Sequence, residues 1–443
     1  MIAFCITCRG RAQHIKKTLP QNLADNKKAK FILIDYGSPD DLLEYVTSAH
    51  ADELATGRLV IYSYQADRFR MAHAKNFAHR CAILEGADIL CNLDADNMTG
   101  KDFDLYIADL FRQAEYDHAM FGLPYIFLWA RMIQGKMKRG VSGRIAMTAK
   151  TFILVGGYDE YYADWGCDDK DMTARLTRLG LTAVEIDGQF LDAIHHKDKL
   201  RFKEYPHARP APGQDSGAFY LENDNTIANF GKYGCGVVSR LFGQAIELLP
   251  LPTRIFGVGM QKTATTSLDA ALKILGFDST HWESGKWATS ILREMRTCGR
   301  SLTVEKSYAL CDLPIPILFR ELDKAYPGSK FILTIRDEVD WLKSERDHWS
   351  YEHNKFRPDW DIYPAANIIH RATYGQKNFD AEIFLARYRR HNAEVREYFK
   401  DRPGDLLTLD MSHDSQESLW VKLCAFLNRP VPPVPYPKAY AAY

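Results

Sequence analysis

Three clusters of side chains have the types and spacing of working chemistry. The first is Ile255-Phe-Gly-Val-Gly-Met-Gln-Lys-Thr-Ala-Thr-Thr-Ser-Leu268, a short apolar strand, a turn eased by Gly257 and Gly259, then Lys262 and a helix start. The unsatisfied N–H groups and positive dipole end of such a start favour an anion. Lys262 with Thr263, Ala264, Thr265, Thr266 and Ser267 is therefore a candidate phosphate cradle. Gln261 stands where a triphosphate-binding loop has glycine before its lysine, which disfavours an ordinary nucleotide triphosphatase. The second cluster is Asp94-Ala-Asp96, two carboxylates in a strand-end turn, suited to a hard divalent cation and to a sugar or ribose hydroxyl. The third is Trp165-Gly-Cys-Asp-Asp-Lys-Asp171, with acids at the head of a helix whose dipole tolerates them.

The elements that must hold these groups alternate. Ile2–Thr7, Phe31–Tyr36, Leu59–Tyr64 and Ala87–Leu93 read as strands, and His14–Leu23, Asp41–Ala49 and Ala72–Glu85 read as helices. This order predicts a mostly parallel sheet with ligands at the carboxyl ends of its strands. Later, Phe331-Ile-Leu-Thr-Ile-Arg-Asp337 reads as a buried strand ending at Arg336, with Ser344 on the helix that follows. Ile317–Tyr326 is amphipathic, and helices near Phe384–Tyr398 and Leu419–Leu427 read as packing. Gly276–Glu283 reads as a loop rich in acid/base groups, and Trp349 and Trp360 as either packing or an acceptor wall.

A chain of 443 residues exceeds one ordinary core, so two domains are expected, at 1–245 and 253–443. Residues 201–245 read as irregular, from Pro206, Pro210, Pro212 and Gly213, with a short helix over Asn223–Phe230 before a glycine cluster. The formal charge is zero, which implies no general affinity for nucleic acid or anionic membrane. No apolar run approaches the ~18 residues of a membrane span, and Met1-Ile-Ala-Phe-Cys-Ile is too short for a signal peptide. A cytoplasmic chain without an integral membrane segment is expected. Nine scattered cysteines give no disulfide framework, and the lone Cys5/Cys8 pair has no second pair to complete a zinc site.

Gln261-Lys-Thr-Ala-Thr-Thr-Ser-Leu268 resembles the 5′-phosphosulfate loop of sulfotransferases. Arg336 with Ser344 resembles the family's 3′-phosphate site, which distinguishes PAPS (3′-phosphoadenosine 5′-phosphosulfate) from ordinary adenosine nucleotides. Thr303-Val-Glu-Lys-Ser307 resembles a segment of glycan sulfotransferases in which Lys306 would steady the transferring sulfuryl group, with Glu305 holding Lys306. His281, Glu283 and Glu305 compete for the base that activates the acceptor. The resemblance favours His281 and Glu283, and His281 ranks first because imidazole titrates near neutral pH.

The run from Gly143 through Val155-Gly-Gly-Tyr-Asp-Glu160 to Asp171 resembles the galactosyltransferase C-terminal region of A-type glycosyltransferases. With Thr7, Arg9, Asp35 and the Asp94/Asp96 pair, the likeness covers roughly residues 1–200. It implies that Thr7, Arg9, Asp35 and Asp94 serve the nucleotide-sugar, that Asp96 binds Mn²⁺ or Mg²⁺, and that Asp169 deprotonates the acceptor hydroxyl. His195-His196 resembles the later metal-ligand histidine; His196 is preferred, though the sequence does not choose between the two. Asp168 stands where Glu is usual and Lys170 interrupts the acidic run, which bears on the acceptor. Together the resemblances imply an α/β chain, a Rossmann-like A-type glycosyltransferase domain followed by a P-loop-like sulfotransferase domain with a central parallel sheet. The activity implied is that of a bifunctional enzyme acting on a carbohydrate acceptor with a nucleotide-sugar and PAPS. The alternatives are a sulfotransferase whose first half only holds the glycan, or a carbohydrate-binding scaffold.

Overall fold

A computed structural model describes residues 1–130, 141, 143–162, 167–194, 224–282, 285–349, 364–376 and 378–438. The chain divides into two compact units, Met1–Leu251 and Pro252–Tyr443.

The first unit is built on a nine-stranded sheet. Its centre is four parallel strands, β1 (Ile2–Cys8), β2 (Lys30–Asp35), β3 (Leu59–Ser63) and β4 (Ile89–Asp94), in the order β3-β2-β1-β4. All seven residues of β1 are buried, as expected for a strand covered on both faces. Phe4, Ile6 and Cys8 point to one layer of core, shared with helices α1 (Ala12–Asp25) and α2 (Leu42–Ala49), while Ala3 and Cys5 point to the other. Helix α3 (Ala51–Ala55) leads into β3, and α4 (Met71–Leu84), buried along most of its length, covers the second face.

Beyond β4 the sheet turns mixed. A two-residue strand β5 (Asn97–Met98) and helix α5 (Phe103–Phe121) precede β6 (Ile126–Trp129) and β7 (Ile145–Thr148). Strand β7 pairs antiparallel with both β4 and β6. Helices α6 (Ala149–Leu154) and α7 (Asp168–Arg178) follow, then β8 (Thr182–Glu185), parallel to β6, and β9 (Asp192–Ala193), which pairs with β5.

The segment expected to be irregular contains a hairpin. Strands β10 (Gly236–Arg240) and β11 (Ala245–Leu248) pair antiparallel, and β10 extends the sheet beyond β3. Arg80 of α4 ties it down, donating to the carbonyls of Tyr233, Gly234 and Leu249 at 2.8, 3.0 and 2.6 Å. The expected helix over 223–230 is absent from its described part, where only a 3₁₀ turn, Asn229–Gly231, forms. Asn229 instead donates to the carbonyls of Gly156 and Tyr158.

The second unit has a five-stranded sheet, β12 (Ile255–Gly257), β13 (Ser279–His281), β14 (Ala309–Cys311), β15 (Lys330–Ile335) and β16 (Leu406–Asp410). The order is β13-β14-β12-β15-β16 and every pairing is parallel. The helices are α8 (Thr265–Ile274), α9 (Lys286–Cys298), α10 (Leu302–Glu305), α11 (Phe319–Ala325), α12 (Glu338–Trp349), α13 (Pro364–Tyr374), α14 (Ala381–Phe399) and α15 (Gln416–Leu427). The end of the expected 276–283 loop is strand β13, with His281 opposite Cys311. Among the described residues, no helix is long and apolar enough to cross a membrane.

Candidate active sites

In the first unit the carboxyl ends of β1 and β4 lie side by side, with Thr7 opposite Asp94. This is where the strand order reverses, the position at which open α/β sheets bind ligands. Asp35 ends the neighbouring β2 and is buried, its carboxylate accepting from the Ser38 amide at 2.8 Å. Burial raises its pKa, with the Ser38 hydrogen bonds opposing. Arg9 donates to the carbonyls of Tyr36, Gly37, Ala66 and Asp67 at 2.7–3.1 Å, so its guanidinium clamps two strand-end loops together.

Two carboxylates from distant parts of the chain converge above this edge. A Cβ added to Gly143 would lie 3.1 Å from Oδ2 of both Asp94 and Asp169, so only glycine leaves the space between them open. Asn92 fixes that glycine, donating to its carbonyl at 2.9 Å. Between the acids stands Lys75 of α4, a residue the sequence reading passed over. Its side chain is 2% exposed and its Nζ lies 2.6 Å from Asp168 and 2.5 Å from Asp169. Burial would lower the lysine pKa, but Asp168, Asp169 and Asp94 outweigh it and hold the ammonium charged. Asp169 is pushed above the ordinary carboxylate range by burial first and by Asp168 second, with Lys75 opposing. Asp171 plays a structural part, pairing with Arg175 at 2.7 Å where both are 1% exposed.

Asp96 is buried, accepting from the Asn97 side chain at 3.0 Å. Asp94 and Asp96 offer hard oxygen donors of the kind Mn²⁺ or Mg²⁺ prefers. Among the described residues no three metal-binding side chains gather into one group. His195 and His196 lie outside the described residues, as do Trp165, Glu283 and Trp360.

In the second unit β12 feeds a tight loop. Gly259 is obligatory, because a Cβ there would come within 2.0 Å of Thr334 Oγ1. Lys262 and Ala264 take left-handed backbone conformations, φ 63° and 65°, and α8 opens at Thr265. The first-turn amides of Thr265 and Thr266 have no acceptor within their helix. Thr263 is buried, bonded to the Met260 carbonyl at 2.6 Å and to Thr334 at 2.7 Å. From behind, His391 bonds the Val258 carbonyl at 2.7 Å, and burial lowers its pKa to about 4. Arg336 emerges at the carboxyl end of β15, beside this loop, with its backbone bridged by the Tyr388 hydroxyl. Half-buried Ser344 follows on α12.

His281 at the end of β13 faces the same helix start. Its Nε2 lies 3.0 Å from Thr265 Oγ1, 3.3 Å from Thr266 Oγ1 and 3.3 Å from Asp312 Oδ2. Asp312 has φ 76°, a strained conformation for a non-glycine residue and one that concentrates at working sites. A loop of helix-start amides, a lysine and an adjacent histidine–carboxylate pair make an anion site with a proton acceptor at its edge.

Residues 254–442 match the sulfotransferase domain family. Residues 126–199 match the family model described as the N-terminal domain of galactosyltransferase. Solved structures to which the chain is similar include S. aureus TarS 1–349, at 11% identity, covering 43% of this chain and 59% of that one with a TM-score of 0.34. TarS 1–349 in complex with UDP-GlcNAc gives 13%, 48%, 62% and 0.35. The mannosyltransferase PcManGT from Pyrobaculum calidifontis, in complex with GDP-Man and Mn²⁺, gives 18%, 46%, 59% and 0.34. The chain thus spans about three-fifths of the length of these structures. No curated protein matches it.

Within the second unit one expected group lies elsewhere. Lys306 lies just before β14, which runs parallel to β12, and the neighbouring Glu305 carbonyl accepts from Arg254 at 3.2 Å. Arg254 precedes β12 whereas Lys262 follows it, so Lys306 sits at the amino edge of the sheet, away from the cradle. Glu305 is buried and binds Arg300 at 2.7 Å and the Tyr326 hydroxyl at 3.3 Å, an anchor for α10. Trp349, half-buried, packs against His370 and Phe384 at 4.5 and 5.6 Å.

Lys75 left little signal, since the helix stretch Ala72–Ala82 that holds it also carries His73, Asn76, His79 and Arg80; two other missed residues left more. Asp312 follows the apolar run Ala309–Cys311 just as Asp94 and Arg336 end theirs. Glu345 lies four residues from both Trp341 and Trp349, on one helix face.

Proposed function

We propose that the chain is a bifunctional glycan-modifying transferase. Its first unit moves a sugar from a nucleotide-sugar, of the UDP type, to a carbohydrate hydroxyl, and its second moves a sulfuryl group from PAPS to a carbohydrate hydroxyl. What supports the reading is that each unit brings charged and polar side chains together at the carboxyl edge of its own parallel strands. In the first, Thr7, Asp35 and Asp94 line the switch point for the nucleotide-sugar, and Asp169 is the carboxylate placed to take the acceptor proton. Asp96, with Asp94 and a histidine from the 195–196 pair, would hold a divalent cation that neutralises the donor diphosphate. In the second, Lys262 and the amides from Thr263 to Ser267 take the 5′-phosphosulfate, and Arg336 with Ser344 takes the 3′-phosphate. His281, oriented by Asp312, accepts the acceptor's proton; Glu283 is the second candidate.

One observation favours a different role for the first unit. Lys75 already neutralises part of the acid cluster, as it would in a domain that holds a glycan without turning over a donor. The test is incubation with a panel of nucleotide-sugars and with PAPS, following release of free nucleotide and of adenosine 3′,5′-bisphosphate. Release from both donors is expected. Bisphosphate alone would select the glycan-holding reading, and release of neither would leave a binding scaffold.

A further inference from the structure

Helix α12 presents Trp341, Glu345 and Trp349 on one face to the turn that carries Lys262. Glu345 is fully buried, and its Oε2 accepts from Gln261 Nε2 at 2.9 Å and from Trp349 Nε1 at 3.2 Å. Trp341 Nε1 donates to the Gln261 carbonyl at 2.9 Å. Gln261 is therefore gripped twice by the same helix, through its side chain and through its backbone. The next residue, Lys262, adopts the left-handed conformation, which persists in a non-glycine residue only where its surroundings over-determine it. The same helix carries Ser344, one residue before Glu345.

We propose that Glu345 is a positioning residue which, through Gln261, locks the Lys262 turn to α12, so that the 5′-phosphosulfate loop and the helix reading the 3′-phosphate act as one rigid part. This rests on the sulfotransferase reading above. It also explains why glutamine, rather than glycine, precedes the lysine: the side chain is needed as a latch.

The environment suits a neutral acceptor. Met260, Trp341, Tyr374, Phe384 and Tyr388 form an apolar cluster around the turn. The charged or titratable groups near Glu345 are Lys262, with His348 3.4 Å from its Nζ, Asp312 and Tyr374. Burial pushes Glu345 up to about 8, against the hydrogen bonds from Gln261 and Trp349 and the charge of Lys262. Its Oε1 has no hydrogen-bond partner among the described residues. A glutamine at 345 reproduces the accepting oxygen, whereas a leucine fills the space and accepts nothing, withdrawing this acceptor from the buried Gln261 amide and the half-buried Trp349 indole.

The test compares full-length parent, Glu345→Leu, Glu345→Gln and the Gln261→Leu/Glu345→Leu double variant. Amide hydrogen exchange over residues 259–265 is measured without ligand, and binding of adenosine 3′,5′-bisphosphate and adenosine 3′-monophosphate by calorimetry. Glu345→Leu should speed exchange in the loop and weaken the bisphosphate by roughly 10–100-fold. The 3′-monophosphate, which lacks a 5′ group, should lose less. Glu345→Gln should keep bisphosphate affinity within about threefold, and the double variant should be no worse than Glu345→Leu, because both changes break one latch. Parent-like exchange and binding in Glu345→Leu overturns the proposal, as does a loss in Glu345→Gln equal to that in Glu345→Leu, or a double variant that binds clearly worse than Glu345→Leu. A parent that binds no bisphosphate overturns the sulfotransferase reading, and the exchange comparison still decides whether Glu345 positions the loop.

Discussion

In the first unit three carboxylates, Asp94, Asp168 and Asp169, act on one buried ammonium, that of Lys75, and Asp96 acts on Asp94. In the second, a lysine, an arginine and the start of an α-helix converge at a strand edge, and the acid among them, Glu345, is held away from the ionised form by burial. Both sites are proposed to receive donors rich in phosphate, yet only the second is built to attract an anion unaided. An acid-rich site can accept a diphosphate only if a cation stands between them. A site of amides and ammonium groups carries its own positive potential. The two halves should therefore respond oppositely to the removal of cations, one supplied from solution and one supplied by the chain.

Removing the chain's own cation gives the largest expected effect. Lys262→Ala should lower sulfuryl transfer by roughly 10²–10³-fold, the range for loss of a group that stabilises transition-state charge. Nucleotide release from the nucleotide-sugar should not change, and a parallel loss there would show that the two sites are not independent. Lys75→Met attacks the other side of the comparison. It leaves buried Asp168 and half-buried Asp169 without their cation and should cost the first unit roughly 3–5 kcal/mol. Hydrogen exchange should show the loss over residues 1–251 and leave 252–438 as before; an unchanged first unit would mean that Lys75 is not a structural counter-ion.

The strand-end sites were legible because these parallel strands are mostly apolar and give way to polar residues at their carboxyl ends. Ile2–Cys8, Lys30–Asp35, Ile89–Asp94 and Lys330–Ile335 all follow that rule, and with them came Asp35, Asp94 and Arg336. What the sequence hid were partnerships across long separations. Lys75 and Asp169 are 94 residues apart and Gln261 and Glu345 are 84 apart, and neither pairing leaves a local pattern. Lys306 misled for the opposite reason: the local triplet looked right, but the direction of β14 placed it at the far edge. The β10–β11 hairpin was obscured by the glycines at 231, 234 and 236, which read as loop although β10 pairs with β3 and β11 with β10.

Smaller effects sharpen the second site. Arg336→Ala should weaken PAPS by about tenfold or more, the scale of a charge-assisted hydrogen bond, and adenosine 5′-phosphosulfate little. Equal losses for both would remove Arg336 from the 3′-phosphate. Glu345 supplies a pH dependence. Its pKa is raised in the folded state to about 8 from an ordinary value near 4.3, so the folded chain binds the extra proton between these values. Its contribution to stability is fully present below the lower value and is lost as pH rises through the upper one. Thermal unfolding of the parent should therefore lose stability between about pH 5 and 8 relative to Glu345→Gln. Parallel pH profiles would show that Glu345 is ionised in the folded chain.

The most direct test of the central contrast is one reaction mixture containing the parent protein, a nucleotide-sugar that it turns over, PAPS and a carbohydrate acceptor, titrated with EDTA. Sugar transfer should fall to background and return when Mn²⁺ or Mg²⁺ is restored in excess, while sulfuryl transfer continues at its original rate throughout. Sugar transfer that survives excess chelator, or sulfuryl transfer that falls with it, would contradict the assignment of one site to a cation from solution and the other to the chain's own lysine and amides.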